Sequence, residues 1–286
     1  MSKPVEHFDE RLQILLQAAM AEDLGEGDHS TLAVIPADAR GRAILKIKQD
    51  GILAGAEIAE KIFHFREPAA VFQFHKKDGE PMKAGETAFT IEASVFTILA
   101  CERLVLNCMQ RMSGISTLTR QYVNAIRGYS SKILDTRKTT PGFRLLEKEA
   151  VRIGGGLNHR FGLFDMVMLK DNHIDYCDGI RKALDKAHAY TQKYKPALRI
   201  EVEARTLDDV REVMASGKAD RIMLDNFSPS QLGEALHLIG KRIETEASGG
   251  ITIENIRAYA ATGVDYISIG ALIHQARSLD LSLKAI

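Results

Sequence analysis

The chain has no tryptophan and only 3 cysteines and 7 prolines among 286 residues. The thiols Cys101, Cys108 and Cys177 form no CxxC pair, which excludes a disulfide framework and a zinc site of ordinary spacing. No apolar run approaches the ~20 residues that a spanning helix needs. The N-terminal stretch MSKPVEHFDERLQ is charged from the start and lacks a signal-peptide core, so a cytoplasmic location is expected. Net charge is missing too. The 38 Lys+Arg balance 38 Asp+Glu, which argues against a broad nucleic-acid or anionic-membrane surface. With 45% hydrophobic and 27% charged residues, the composition is that of an ordinary globular protein with room for one large α/β domain or two smaller ones.

Against that neutrality, residues 132–170 stand out. They read KILDTRKTTPGFRLLEKEAVRIGGGLNHRFGLFDMVMLK, with eight Lys/Arg against four acids. Pro141-Gly142 and Gly154-Gly155-Gly156 break any continuous helix here, so the cations suit a pocket for a small, highly charged anion better than a solvated face. Arg137 and Arg160 can each grip a carboxylate or phosphate through two parallel hydrogen bonds. Lys138 and Lys170 serve as point charges, and His159 can donate from a ring nitrogen. Arg144, Lys148 and Arg152 instead fit an amphipathic helix over 143–152. His173 is expected to cap or bond within a turn, and the other histidines considered show no metal-ligand spacing.

The first hundred residues mix element types. Helical spacing covers 9–24 and stops at Gly25 and Gly27. RAILKIK alternates like a half-buried strand, AGAEIAEKIFHF reads as a helix, and a strand–turn–strand follows. A helix over 97–114 places Arg103, Asn107 and Gln110 on one polar stripe, the pattern of a solvated or subunit-facing edge. From there the rhythm changes. Six β-rich segments, at 132–138, 166–172, 199–204, 221–227, 243–250 and 266–272, recur about 20–35 residues apart with helical patterns between the later ones, which implies a parallel sheet with right-handed crossovers.

Polar residues fall at the carboxyl end of strand after strand. An open doubly wound sheet would spread them along an edge, whereas a barrel brings them to one mouth, so the pattern favours an α/β barrel. Ser248, Gly249 and Gly250, then Ser268 and Gly270, end two successive strands where such barrels hold a phosphate. Tight βα turns are the other reading of these glycines. Glu203 and Asp225 at neighbouring strand ends would repel an anion unless they hold Mg²⁺ or meet developing positive charge. A structural ion pair is the alternative for each.

The ordered motifs AEDLGEGDHST, ERLVLN, DTRKTTPGFR, GGGLNHR, MVMLKDNH, EVEA, MLDNF, EASGGI and GVDYISIGAL resemble those of the quinolinate phosphoribosyltransferase family along nearly the whole chain. The resemblance implies an N-terminal α/β sandwich (residues 1–112, with a tail at 274–286 returning to it) and an incomplete TIM-like α/β barrel (113–273). That barrel has seven strands in the family; six are legible here, and the seventh is expected near 151–154. The implied reaction moves phosphoribose from phosphoribosyl pyrophosphate to quinolinate, giving nicotinate mononucleotide, pyrophosphate and CO₂. By the same resemblance Arg137, His159, Arg160 and Lys170 surround quinolinate, and Lys138 contacts phosphoribosyl pyrophosphate. Glu203 (with Glu201 the alternative on the same strand face) and Asp225 serve Mg²⁺ and the ribose. Ser248, Gly249, Gly250, Ser268 and Gly270 cradle the 5′-phosphate. Arg103 reaches the neighbouring subunit's site in a homodimer.

Rival readings are a paralogue associated with molybdate transport, a sugar-phosphate aldolase using Lys170 as a Schiff-base nucleophile in an apolar pocket, and a catalytically silent anion-binding protein.

Overall fold

The computed structural model describes residues 5–286, so the reading of MSKP as the start of a charged terminus lies outside the described residues. Two compact units divide the chain. One holds the residues up to Arg120 with Lys138–Gly155 and Leu272–Ile286; the other holds Gln121–Arg137 and Gly156–Ala271.

In the first unit, α1 (Phe8–Leu24) buries Leu12, Leu16 and Met20, one turn apart, and stops at Gly25, whose φ of 46° favours glycine. Asp28 caps α2 (His29–Val34) by accepting from the Thr31 N–H at 3.1 Å. In β1 (Arg40–Ile47) Ala43, Leu45 and Ile47 are buried while their neighbours are not, the period of a strand covered on one face. After β2 (Gly51–Ile52) comes α3 (Ala56–Arg66). Its first N–H is met from outside the helix by Asp78, which accepts from Ala56 at 2.8 Å. The strands β3 (Val71–Phe74), β4 (Pro81–Met82) and β5 (Thr87–Ser94) follow. Phe63 and Phe72 pack with Phe89 on this side of the chain.

The next helix, α4 (Val95–Ala125), runs past Gly114, where the sequence predicted its end. Gly114 is there for close approach: a Cβ would collide with the Arg277 carbonyl. The last strand, β12 (Leu281–Ala285), lies antiparallel against β1 in a sheet ordered β12-β1-β5-β3.

In the second unit all six segments read as strands form one parallel sheet. They are β6 (Lys132–Leu134), β7 (Val167–Leu169), β8 (Ile200–Ala204), β9 (Arg221–Asp225), β10 (Glu244–Ser248) and β11 (Tyr266–Ser268), in the order β6-β11-β10-β9-β8-β7. The helices α6 (Asp171–Asp175), α7 (Ile180–Tyr194), α8 (Leu207–Ser216), α9 (Pro229–Ile239) and α10 (Ile256–Ala260) carry the chain between strands. Local chemistry starts α8 and α9: Thr206 and Ser228 each make a capping box, and Pro229 fills the first turn. After β11, α11 (Ala271–His274) begins the return to β12.

Two sequence expectations fail in one place. Residues 151–154 are not a strand but the end of α5 (Arg144–Gly154), closed by Gly155 at φ 99°. The trace of a further barrel stave is instead a single parallel bridge from Leu157 to Leu134. Nor is α5 simply amphipathic, because Glu147 and Lys148 are fully buried on it. Glu147 is buried because it serves as an acceptor: Arg111 Nε and Nη2 and the Thr140 N–H and hydroxyl all donate to it.

Candidate active site

Because the six strands are parallel, their carboxyl ends share one edge of the second unit. Register fixes who sits where. Ser248 stands opposite Asp225, Ser268 opposite Leu134, and Leu169 opposite Val202, one residue before Glu203. Lys170 therefore follows the end of β7 beside the last turn of β8. Asp135 continues β6 and accepts from the His159 N–H at 2.9 Å, which ties the 158–160 segment to the same edge.

The cationic part of this edge is a pair of guanidiniums. Arg160 is 9% exposed and donates from Nη1 to the Met166 carbonyl at 3.3 Å. Burial, and then the charge of Arg137, pull the Arg160 pKa below its usual range; Glu201 and Asp165 work against that. Two like charges held close in a partly desolvated place attract a multiply charged anion. Lys170 is exposed beside Asp171 and Glu203, and its backbone N–H donates to His173 Nδ1 at 3.1 Å. His173 therefore serves the turn, as expected. An exposed lysine among carboxylates does not have the apolar pocket that a Schiff-base mechanism requires.

The acidic part holds one more member than expected. Glu203 is 8% exposed. Its carboxyl pKa is raised by burial first, then by Asp225 and Asp171, while Lys170 and Arg205 oppose the shift. Glu203, Asp225 and Asp171 are thus close enough to repel one another, and Asp171 was missed because its motif was read only for the neighbouring lysine. Asn226 was also missed. It adopts φ 59°, donates from Nδ2 to Asp225 Oδ2 at 2.6 Å, and gives its backbone N–H to the Ser248 carbonyl at 2.8 Å.

Gly249 has φ 93° and Gly250 φ 60°, and a Cβ on Gly249 would collide with Asn226. Gly249 is required by its backbone and its surroundings, whereas the left-handed conformation of Gly250 is one that Asn226 also adopts. Ser268 is buried, with its hydroxyl 3.4 Å from the Ala247 carbonyl, and Gly270 is partly exposed two residues on.

Beneath this edge lies a buried ionic group that composition could not reveal. His159 Nε2 is 2.9 Å from Glu201 Oε2 and 3.4 Å from Glu246 Oε2, and Arg221 Nη1 is 3.2 Å from Glu246 Oε2. Among the described residues, His159, Glu201 and Glu246 form a group of metal-capable side chains with donor atoms within 4.8 Å of one another. Burial would lower the His159 pKa, but Glu201 and then Glu246 outweigh it and push it up to about 9. Nδ1, however, accepts the Arg160 N–H at 2.7 Å and has no room for a second proton. The contact decides the matter, and the ring proton sits on Nε2, facing Glu201 and Glu246. Burial and the Glu246 charge raise Glu201, whereas His159 lowers Glu246 against the effect of burial.

Arg103 and Lys138 belong to the first unit and are both exposed there, Arg103 on α4 with Asn107 on the same side of the helix. Among the described residues no helix is long and apolar enough to cross a membrane.

A parallel α/β barrel edge carrying a guanidinium pair, a carboxylate group and a glycine turn defines an enzyme for small, multiply charged anions. The family model described as "Quinolinate phosphoribosyl transferase, C-terminal domain" matches residues 115–284, and its N-terminal counterpart matches 28–113. A protein of Bacillus subtilis named "Probable nicotinate-nucleotide pyrophosphorylase [carboxylating]" is 44% identical over 96% of this chain and 93% of its own length. The Nicotiana glauca protein "Quinolinate phosphoribosyltransferase [decarboxylating] 2, mitochondrial" is 43% identical over 99% of this chain and 84% of its own. The solved structure of NadC from Streptococcus pyogenes superposes with a TM-score of 0.90 at 39% identity, covering 100% of both chains. The chain belongs to the quinolinate phosphoribosyltransferase family. It is a pentosyltransferase of pyridine-nucleotide biosynthesis with the incomplete-barrel fold expected from its motifs.

Proposed function

We propose that the strand-end edge of the second unit is where this chain joins quinolinate to the phosphoribosyl group of phosphoribosyl pyrophosphate, releasing pyrophosphate and CO₂ and forming nicotinate mononucleotide. The observation that carries this reading is the pairing of Arg137 with Arg160 on the same edge as Glu203 and Asp225. Quinolinate bears two carboxylates, and two guanidiniums offer the forked donors that fit them. Lys170 adds charge, and His159 belongs to the same subsite.

At the other end of the reaction, Ser248, Gly249, Gly250, Ser268 and Gly270 cradle the 5′-phosphate, with main-chain N–H groups made accessible by the missing Cβ atoms. The quinolinate ring nitrogen attacks C1 of the sugar as the bond to pyrophosphate breaks. Glu203 and Asp225 face the positive charge that develops on the sugar, and Lys138 meets the departing pyrophosphate. As the adjacent carboxylate then departs as CO₂, the electron pair of the broken bond stays on the ring carbon, stabilised by the neighbouring quaternised nitrogen, and a proton adds there. Arg137 and Arg160 keep the ring in register throughout.

Mg²⁺ fits the same acids. Glu203, Asp225 and Asp171 offer hard oxygen donors; burial first, and then the charges of Asp225 and Asp171, raise the Glu203 pKa, and a divalent cation would relieve that repulsion. When bound, Mg²⁺ supplies positive charge for the pyrophosphate oxygens. The working assembly is a homodimer, or a larger assembly built from it, with Arg103 reaching the neighbouring subunit's site; the exposure of Arg103 and Asn107 on α4 supports this. The location we propose is cytoplasmic, in line with Cys101, Cys108 and Cys177 forming no disulfide among the described residues.

The test is direct. Protein, quinolinate, phosphoribosyl pyrophosphate and Mg²⁺ should yield nicotinate mononucleotide, and nicotinate should fail as the acceptor because one carboxylate partner is missing. Absence of product from quinolinate, or equal use of nicotinate, overturns the assignment.

A further inference from the structure

The space under the strand ends of an α/β barrel is normally filled by branched aliphatic side chains. Here it holds His159, Glu201, Arg221 and Glu246, each 9% exposed or less. Burying four ionisable groups is unfavourable unless each finds a partner in good geometry, so their arrangement calls for a reason. The contacts form a chain of close charge pairs, in which the approach of Glu201 to His159 Nε2 is electrostatic and lacks hydrogen-bond geometry. Arg221 reaches Glu246, Glu246 and Glu201 both face His159 Nε2, and His159 Nδ1 accepts the backbone N–H of Arg160. Both ring nitrogens of His159 are therefore turned to protein atoms. The His159 backbone N–H is held as well, by Asp135 Oδ1 at 2.9 Å.

We propose that Glu201, Glu246 and His159 form a buried clamp whose task is to position Arg160. The carboxylates orient the imidazole, the imidazole fixes the Arg160 main chain, and the guanidinium is thereby aimed at the strand-end edge. Glu201 and Glu246 become positioning residues for the quinolinate subsite without touching the ligand; the inference rests on the assignment of Arg160 to quinolinate. The electrostatics agree with it, since Glu201 offsets the repulsion that Arg137 exerts on Arg160. Without that compensation two guanidiniums held together would spring apart in the unliganded protein. The spacing of the three groups would also suit a metal ion, but Arg221 already supplies the cation at 3.2 Å from Glu246.

The experiment uses the full chain carrying Glu201→Gln or Glu246→Gln, substitutions that preserve volume. KM for each substrate, kcat, and calorimetric quinolinate affinity without turnover are measured. Quinolinate KM and Kd should weaken by about tenfold, the range expected when a buried polar contact is broken. KM for phosphoribosyl pyrophosphate should stay within about twofold, as its groups are not touched by the clamp. His159→Gln, whose amide can accept from Arg160 and donate to Glu201, should retain more quinolinate affinity than His159→Leu. Where a Gln variant melts below assay temperature, Arg221→Lys gives the same reading, because it loosens Glu246 while keeping the charge.

An active wild type with unchanged quinolinate constants in both folded Gln variants sinks the clamp alone. So does a stoichiometric metal retained by the wild type and lost in Glu246→Gln. A wild type that makes no nicotinate mononucleotide is instead a failure of the proposed reaction.

Discussion

Arg111 grips the fully buried carboxylate of Glu147 from two sides of its guanidinium, with Nε at 3.0 Å and Nη2 at 2.9 Å from Oε1. The remaining donors of Arg111 go to the carbonyls of Ile273 and Ala276, both at 2.7 Å, so one side chain joins α4, α5 and the C-terminal segment. Glu147 in turn holds Thr140 by its N–H at 2.8 Å and its hydroxyl at 3.0 Å, two residues beyond Lys138. Removing one partner of a buried, hydrogen-bonded ion pair strands the other. Glu147→Ala should therefore lower stability by about 3–5 kcal/mol. Equilibrium urea unfolding checks this, and a loss under about 1 kcal/mol would show that the pair is not a structural anchor.

The second prediction concerns the glycine turn. Gly249→Ala must place a side chain at φ 93° and against Asn226. The backbone term alone costs about 1–2 kcal/mol, so KM for phosphoribosyl pyrophosphate should rise by about tenfold or more. Quinolinate KM should change less. Steady-state kinetics with each substrate varied in turn would separate a phosphate cradle from a merely structural turn.

Charge placement supplies the third. Arg137→Ala and Lys170→Ala should each raise quinolinate KM and lower kcat, whereas Glu203→Ala should reduce turnover more than quinolinate binding. Loss of a group that stabilises developing charge lowers kcat by about 10²-fold or more. Unchanged kinetics for both cation variants would reject their placement in the quinolinate subsite.

A fourth prediction follows from Asp78, whose carboxyl meets the start of α3. Burial is the main cause that raises its pKa from 3.8 to about 6; the Ala56 N–H bond opposes the shift and the Glu57 charge adds to it. The folded protein thus binds a proton that the unfolded chain releases. That contribution to stability is complete below about 3.8 and is lost as the pH rises through about 6. Melting temperatures of the wild type and Asp78→Asn should accordingly diverge in favour of Asn as the pH rises from about 3.8 to about 6. Parallel curves across that window would show that Asp78 does not titrate there.

How much could be read beforehand depended on range. Alternation in RAILKIK and the β-rich composition of the six barrel segments are local properties, and every one of those strands forms. The glycine turn was equally visible, since Gly249 at φ 93° marks a backbone that favours glycine. The failures are non-local. Gly114 reads as a helix stop, yet it lies within α4 because the Arg277 backbone passes against it from 163 residues away in sequence. Lys148 and Glu147 read as the polar side of a helix and are buried by partners from other elements. Glu201 and Glu203 share a strand face, and alternation could not separate the clamp residue, fully buried beside His159, from the one that faces Asp225.

The pairing of β12 with β1 ties residue 285 to residue 43. On the ribosome, the sheet that contains β1 cannot be completed until residue 285 has been translated and has cleared the exit tunnel. The barrel strands, all encoded earlier than β12, face no such wait. Translation should therefore leave the barrel strands free to pair while the sheet of β1 still lacks an edge, and a chain cut before residue 281 would leave that edge bare for good.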